Sequence, residues 1–162
     1  MIEGGQKLIL GKKRRIGKKV EEIIIGEKLK LTEKIMDKDL LLYLGLTNDG
    51  NPLYIQHDFA LQTTYRKPIV PTILLTGIVT SATSKHLPGP GSHVVEQRLS
   101  FPKPVYHYAT VDFLLEVIEI NKNDNLIIIK VDAYNEEDEI VITGTVTVIP
   151  PKIIVDSDCA ER

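Results

Sequence analysis

The chain has 162 residues, 43% of them hydrophobic, which suits one globular domain built around one core. Its 20 basic and 22 acidic residues leave a net charge of -2, and no apolar run is long enough to cross a bilayer. The lone Cys159 has no internal disulfide partner and the N-terminus lacks a signal-peptide pattern, so a reducing cytoplasm is the expected setting.

The charge is unevenly spread. Lys7, Lys12, Lys13, Arg14, Arg15, Lys18 and Lys19 make a block of +7 with no acid among them, leaving -9 for the remainder. Such a block can meet phosphates of nucleic acid or of a nucleotide-bearing carrier by counterion release. A solvated arm is the plainer reading, because short basic blocks at chain ends usually are that. No recognition helix, zinc-finger spacing or stacking platform accompanies it, so nucleic acid is not an expected partner. Residues 1–21 are thus read as a basic arm, 22–151 as the domain and 152–162 as a polar tail.

Residues 23–31 alternate, with branched side chains, and predict a first strand. Asp37 is placed to cap a short helix carrying Leu40, Leu41, Tyr43 and Leu44. Asp49-Gly50-Asn51-Pro52 then forms a turn, with Asn51 as the N-cap and Pro52 as the first residue of a helical run to about Gln62. This holds the Asp49 carboxylate beside a helix N-terminus, where the macrodipole favours negative charge. A loop with Arg66, Pro68 and Pro71 leads into the principal helix, residues 72–86. Ile73, Leu74, Ile78 and Ala82, with Leu75 and Lys85 beside them, track one side of it, and Gly77 and Ser81 would let a sheet approach closely. Leu-Pro-Gly-Pro-Gly at 87–91 stops the helix.

The second half reads as strands. Residues 93–101, 110–120, 126–135 and 140–149 have the length and β-branched content of an antiparallel meander, with turns at 121–125 and 136–139. Pro150-Pro151 ends the last strand. One strand, a helical section and then four strands is an α+β order.

The stretch 43–60, YLGLTNDGNPLYIQHDFA, resembles the motif of the MaoC-like, (R)-specific enoyl-thioester hydratases, which have the hot-dog fold. Tyr43, Leu46, Thr47, Asp49, Asn51, Pro52, Leu53 and Ala60 fall in register with that motif. Two positions depart: Asn48 stands where the family has Gly, and Tyr54 where it has its catalytic His. Asn tolerates left-handed backbone well, so the first change is mild. The resemblance continues through Lys67-Pro68-Ile69-Val70, where Pro71-Thr72 replaces a family His-Gly, and through Phe101, Pro104, Val105, Gly144 and Pro150. It covers about residues 22–151.

What the resemblance implies is a hydro-lyase acting on enoyl or 3-hydroxyacyl thioesters of coenzyme A or acyl carrier protein, without a cofactor. Adding water to such a double bond needs a base, a proton donor at the α-carbon and donors for the enolate-like oxygen. By register, Asp49 is the base, Asn51 its supporting amide and Tyr54 a water or proton contact. Leu53 and Pro71 line the acyl site, and the Thr72 N–H receives the thioester oxygen at a helix N-terminus. Tyr54 is the weak member, since a phenol titrates near ~10 and an imidazole near ~6.5. The resemblance also implies a homodimer.

Two other readings stay open. One is a non-catalytic acyl-thioester binder or partner subunit, with the fold kept and the base lost. The other, a thioesterase, ranks last, because residues 72–86 contain no carboxylate. His57, three residues after Tyr54, is read mainly as a surface residue and secondarily as a substitute base. His86, His93 and His107 have no ligand spacing with Cys or each other, so no metal site is expected.

Overall fold

The computed structural model describes residues 15–152. The basic block up to Arg14, the end of the tail and Cys159 lie outside them. A single 3₁₀ turn (Val20–Glu22) precedes β1 (Lys28–Lys34), α1 (Asp37–Thr47), α2 (Pro52–Ile55), α3 (His57–Leu61) and α4 (Thr72–Lys85). Then come β2 (His93–Ser100), β3 (Thr110–Asn121), β4 (Leu126–Tyr134) and β5 (Ile140–Ile149). The five strands form one antiparallel sheet in the order β1-β3-β4-β5-β2.

Alternation along the strands places the core. On β3, Val111, Phe113, Leu115 and Val117 are fully buried while Asp112, Leu114 and Glu116 between them are not. Ile127, Ile129 and Val131 of β4 and Val146 and Val148 of β5 join them, and Leu75, Val79 and Ala82 of α4 pack onto the same cluster. Gly144 makes the β5–β2 contact possible. A Cβ there would lie 2.0 Å from the Arg98 carbonyl oxygen, so only glycine lets the two backbones approach this closely.

The α+β architecture and most elements stand as expected, and the differences have local causes. The first strand begins at Lys28, not at residue 23. Gly26 has φ +84° and its N–H donates to the Val117 carbonyl at 2.8 Å, so the chain turns here before joining the sheet. Ile23 is buried as a plug in that turn, whereas Ile24 and Ile25 are exposed. Met36, not Asp37, precedes α1 at the cap position, and its N–H donates to the Asp39 carboxylate at 2.9 Å. The Asp37 carboxylate instead accepts from the Tyr108 hydroxyl.

The run after Pro52 is two short helices rather than one, broken where Gln56 turns extended (φ -112°, ψ 109°). Only β3, β4 and β5 form a meander. β2 adds to β5 at the far edge, and residues 101–109, with Pro102 and Pro104, carry the chain back across to β3. Periodicity within a strand does not encode its partner, which explains that miss.

The largest correction concerns α4. Leu75, Val79, Ala82 and Thr83 are buried and Leu74 and Ile78 pack partly against the core, so the stripe keeps most of the expected side but turns away from Ile73 and Lys85 toward Val79 and Thr83. Ile73 is 55% exposed and a Cβ on Gly77 would meet nothing within 4 Å. Both margins of the stripe are apolar, so periodicity alone could not choose between them.

Candidate functional site

The segment between β1 and α4 lies over the open side of α4. Between them runs a cleft of about 490 Å³. Its walls include Leu31 of β1, Leu42, Tyr43 and Leu46 of α1, and Ile73, Leu74, Gly77 and Ile78 of α4. The small residues Gly77 and Ser81 leave it room rather than admitting the sheet. Lys34, Lys85 and His86 also border the cleft, as do Glu33 and Asp39.

Local hydrogen bonds build the motif turn at the end of α1. Asn48 closes the helix in the left-handed region (φ 53°), and its N–H donates to the Leu44 carbonyl at 2.8 Å. This is the position where the resemblance expects Gly, and Asn takes the same backbone conformation. The Thr47 hydroxyl donates to the Tyr43 carbonyl at 2.8 Å and accepts from the Asp49 N–H at 3.3 Å.

The half-buried Asp49 carboxylate is held from two sides. One oxygen accepts from the Tyr43 hydroxyl at 2.7 Å and the other from the Asn51 N–H at 3.1 Å. The Asn51 side chain accepts from the Leu53 N–H at 3.0 Å, so it caps α2 as expected, with Pro52 in the first helical position. Hydrogen bonding to Asp49, then burial, push the Tyr43 phenol above its ordinary pKa.

Tyr54 is half-buried on α2, its ring edge-on to that of Tyr43 with centroids 6.5 Å apart. Its hydroxyl has no hydrogen-bond partner among the described residues. Leu53, also half-buried, accepts at its carbonyl from the Ile69 N–H at 3.2 Å, and the Val70 N–H donates to the Val105 carbonyl at 2.8 Å. These bonds tie the motif to the approach to α4. Pro71 is buried at the cap position of that helix, and Thr72 is exposed as its first residue. An N–H in the first turn has no acceptor within its helix, so that of Thr72 is free to meet an incoming oxygen.

None of the six residues singled out from the sequence is itself in the cleft wall; Asp49 stands one hydrogen bond behind it, through Tyr43. The motif had placed Tyr43 in register only as an aromatic. Its hydroxyl, six residues before an acid across a turn, was the signal available.

His57 begins α3 beyond the break at Gln56, so it does not share a helix face with Tyr54. Its ring stands edge-on to that of His107, 6.5 Å between centroids. Burial holds the His107 imidazole below its ordinary pKa, and the ring lies near the carbonyls of Tyr54 and Ile69. Its Nε2 is buried without a hydrogen-bond partner. Among the described residues no group of three or more His, Cys, Asp or Glu could hold a metal ion, and no helix is long and apolar enough to cross a membrane.

A five-stranded antiparallel sheet packed against one long helix is the hot-dog architecture. Unliganded R-hydratase PhaJ1 from Pseudomonas aeruginosa shares it, with a TM-score of 0.79 and 26% identity over 85% of this chain and 88% of that one. Residues 19–140 match the MaoC like domain, and the chain belongs to that family. An (R)-specific enoyl-CoA hydratase of Rhodospirillum rubrum is 29% identical over 131 residues, covering 81% of this chain and 90% of the relative. A mitochondrial 3-hydroxyacyl-[acyl-carrier-protein] dehydratase of Solanum lycopersicum, FERN, is 28% identical over 134 residues, 82% of this chain and 80% of the relative.

Proposed function

We propose that this protein is a hydratase/dehydratase that interconverts enoyl and 3-hydroxyacyl thioesters of coenzyme A or acyl carrier protein. The observation carrying the proposal is the Asp49 carboxylate, fixed by the Asn51 N–H and by the hydroxyl of Tyr43, a wall residue of the apolar cleft along α4. A carboxylate with both oxygens held in place is oriented before substrate arrives, and pre-set orientation is what general-base catalysis needs. Asp49 takes the proton from water, Asn51 holds the turn, Tyr54 contacts the water or proton, and the Thr72 N–H receives the thioester oxygen as it gains charge. Leu53 and Pro71, outside the cleft wall, are assigned to the acyl site by their register with the family motif. The names of the relatives above support the substrate class.

A second copy of the chain belongs to the same proposal. Leu42 and Leu46, in the cleft wall, are 72% and 87% exposed, and a homodimer would cover apolar surface of this kind. A monomer in sedimentation at micromolar concentration would contradict that part.

The activity is tested by following the absorbance of a short trans-2-enoyl-CoA. The parent should hydrate it, and Asp49→Asn should lose about 10²–10⁴-fold in kcat. Tyr54, standing where an imidazole is expected, favours one other reading, a partner subunit that has lost its base. No turnover in the parent, with activity gained in Tyr54→His, would establish that reading instead. Release of free thiol that disappears with Asp49→Asn would point to hydrolysis.

A further inference from the structure

We propose that Tyr43 is a catalytic residue, relaying the proton between the attacking water and Asp49; this rests on the hydration reading above. Three observations place it there. The Tyr43 hydroxyl donates to Asp49 Oδ2 at 2.7 Å, so its oxygen keeps lone pairs free to accept from another donor. Tyr43 is in the cleft wall and Asp49 is not, so the Tyr43 side chain is the link by which the cleft is joined to the Asp49 carboxylate. Tyr54, the other phenol of the motif, has no hydrogen bond from its hydroxyl among the described residues and is not in that wall. Tyr43 therefore has both the contact and the access that Tyr54 lacks.

The step balances without another reactant. Water in the cleft gives its proton to the Tyr43 oxygen as the Tyr43 proton passes to Asp49. The water oxygen bonds to C3 of the enoyl group, the C2=C3 π pair moves toward C2 and the thioester oxygen, and Asp49 is left as a carboxylic acid. The same proton then returns from Asp49 through Tyr43 to C2, restoring both side chains and leaving a 3-hydroxyacyl thioester. Dehydration runs the steps backwards. A phenol is protonated at neutral pH, and the hydrogen bond to Asp49 shifts the pKa of Tyr43 further up, which suits a relay and not an ionised tyrosinate base.

The test compares Tyr43→Phe, which keeps the ring, with Asp49→Asn in the full chain, using a short trans-2-enoyl-CoA. Tyr43→Phe should lower kcat by about 10²-fold or more with KM within a few-fold. In the parent, kcat against the fraction of D₂O should curve, because two protons move together. A Tyr43→Phe variant within about threefold of the parent, beside an inactive Asp49→Asn, overturns the relay and leaves the hydratase reading standing. A linear D₂O dependence in the parent also overturns it, reducing Tyr43 to a residue that positions Asp49. A parent without turnover removes both. Should Tyr43→Phe fail to fold, a fluorinated tyrosine at position 43, similar in shape but more acidic, must shift kcat; an unchanged rate overturns the proposal.

Discussion

The sheet and the segment that overhangs it are built in opposite ways. β3, β4 and β5 bury a ladder of side chains from Val111 to Val148 and owe little to any single polar contact. In the overhang, α1 buries only Leu40, α2 buries nothing and α3 buries only Ala60, while Leu41, Leu42, Leu46, Phe59 and Leu61 stay exposed. What orders it instead is a chain of hydrogen bonds: Tyr43 to Asp49, Asn51 to Leu53, and Ile69 back to Leu53. The sheet is the scaffold, and the overhang carries the residues proposed for the chemistry. Segments that must admit a ligand are drawn from the low-stability end of a fold.

Substitutions of similar severity should therefore separate the two regions. Phe113→Ala empties the largest fully buried side chain, and should cost about 3–5 kcal/mol in urea unfolding. Its remaining turnover should follow the folded fraction alone. Asn51→Ala removes a helix cap at the surface and should cost about 1 kcal/mol. Its turnover should fall far beyond what that loss of folded protein explains, because the backbone N–H that holds Asp49 is no longer fixed by the cap to Leu53. Equal effects of the two on activity per folded molecule would erase the distinction.

The same divide governs how much the sequence disclosed. In the sheet, alternation and turn residues located β5 to the residue and β3 and β4 to within one. Each side chain there answers to one demand, inside or outside. The motif turn was equally legible, since Asp49, Asn51 and Pro52 act through neighbours two residues away, and Asn51 does cap α2. What could not be read needed long-range geometry. How far the apolar stripe of α4 turns toward the sheet is undetermined when Ile73 at one margin is as apolar as Val79 at the other. That Tyr43 reaches Asp49, and that His107 comes to lie beside Tyr54, depend on where a turn and a distant loop settle.

His107 offers the finest probe of the comparison, because it joins the two regions. It sits in the loop before β3, near the carbonyls of Tyr54 and Ile69, facing Asp37 of α1 and His57 of α3. Burial lowers its pKa and the His57 charge acts the same way; the Asp37 charge and the two carbonyls oppose them without reversing the direction. Below the unfolded pKa of ~6.5 the unfolded chain therefore holds more protons at this site than the folded one, and stability falls as pH falls. At neutral pH and above, both states leave His107 unprotonated and it adds no slope. The urea midpoint of the parent should accordingly drop between pH 7.5 and pH 5.5, about 1 unit either side of that pKa, and the drop should be smaller in His107→Gln. Because the proton enters beneath the overhang, amide exchange near Leu53 and Ile69 should accelerate in acid before that of β3 and β4. Identical pH slopes in parent and His107→Gln would mean that the imidazole does not couple the overhang to the sheet.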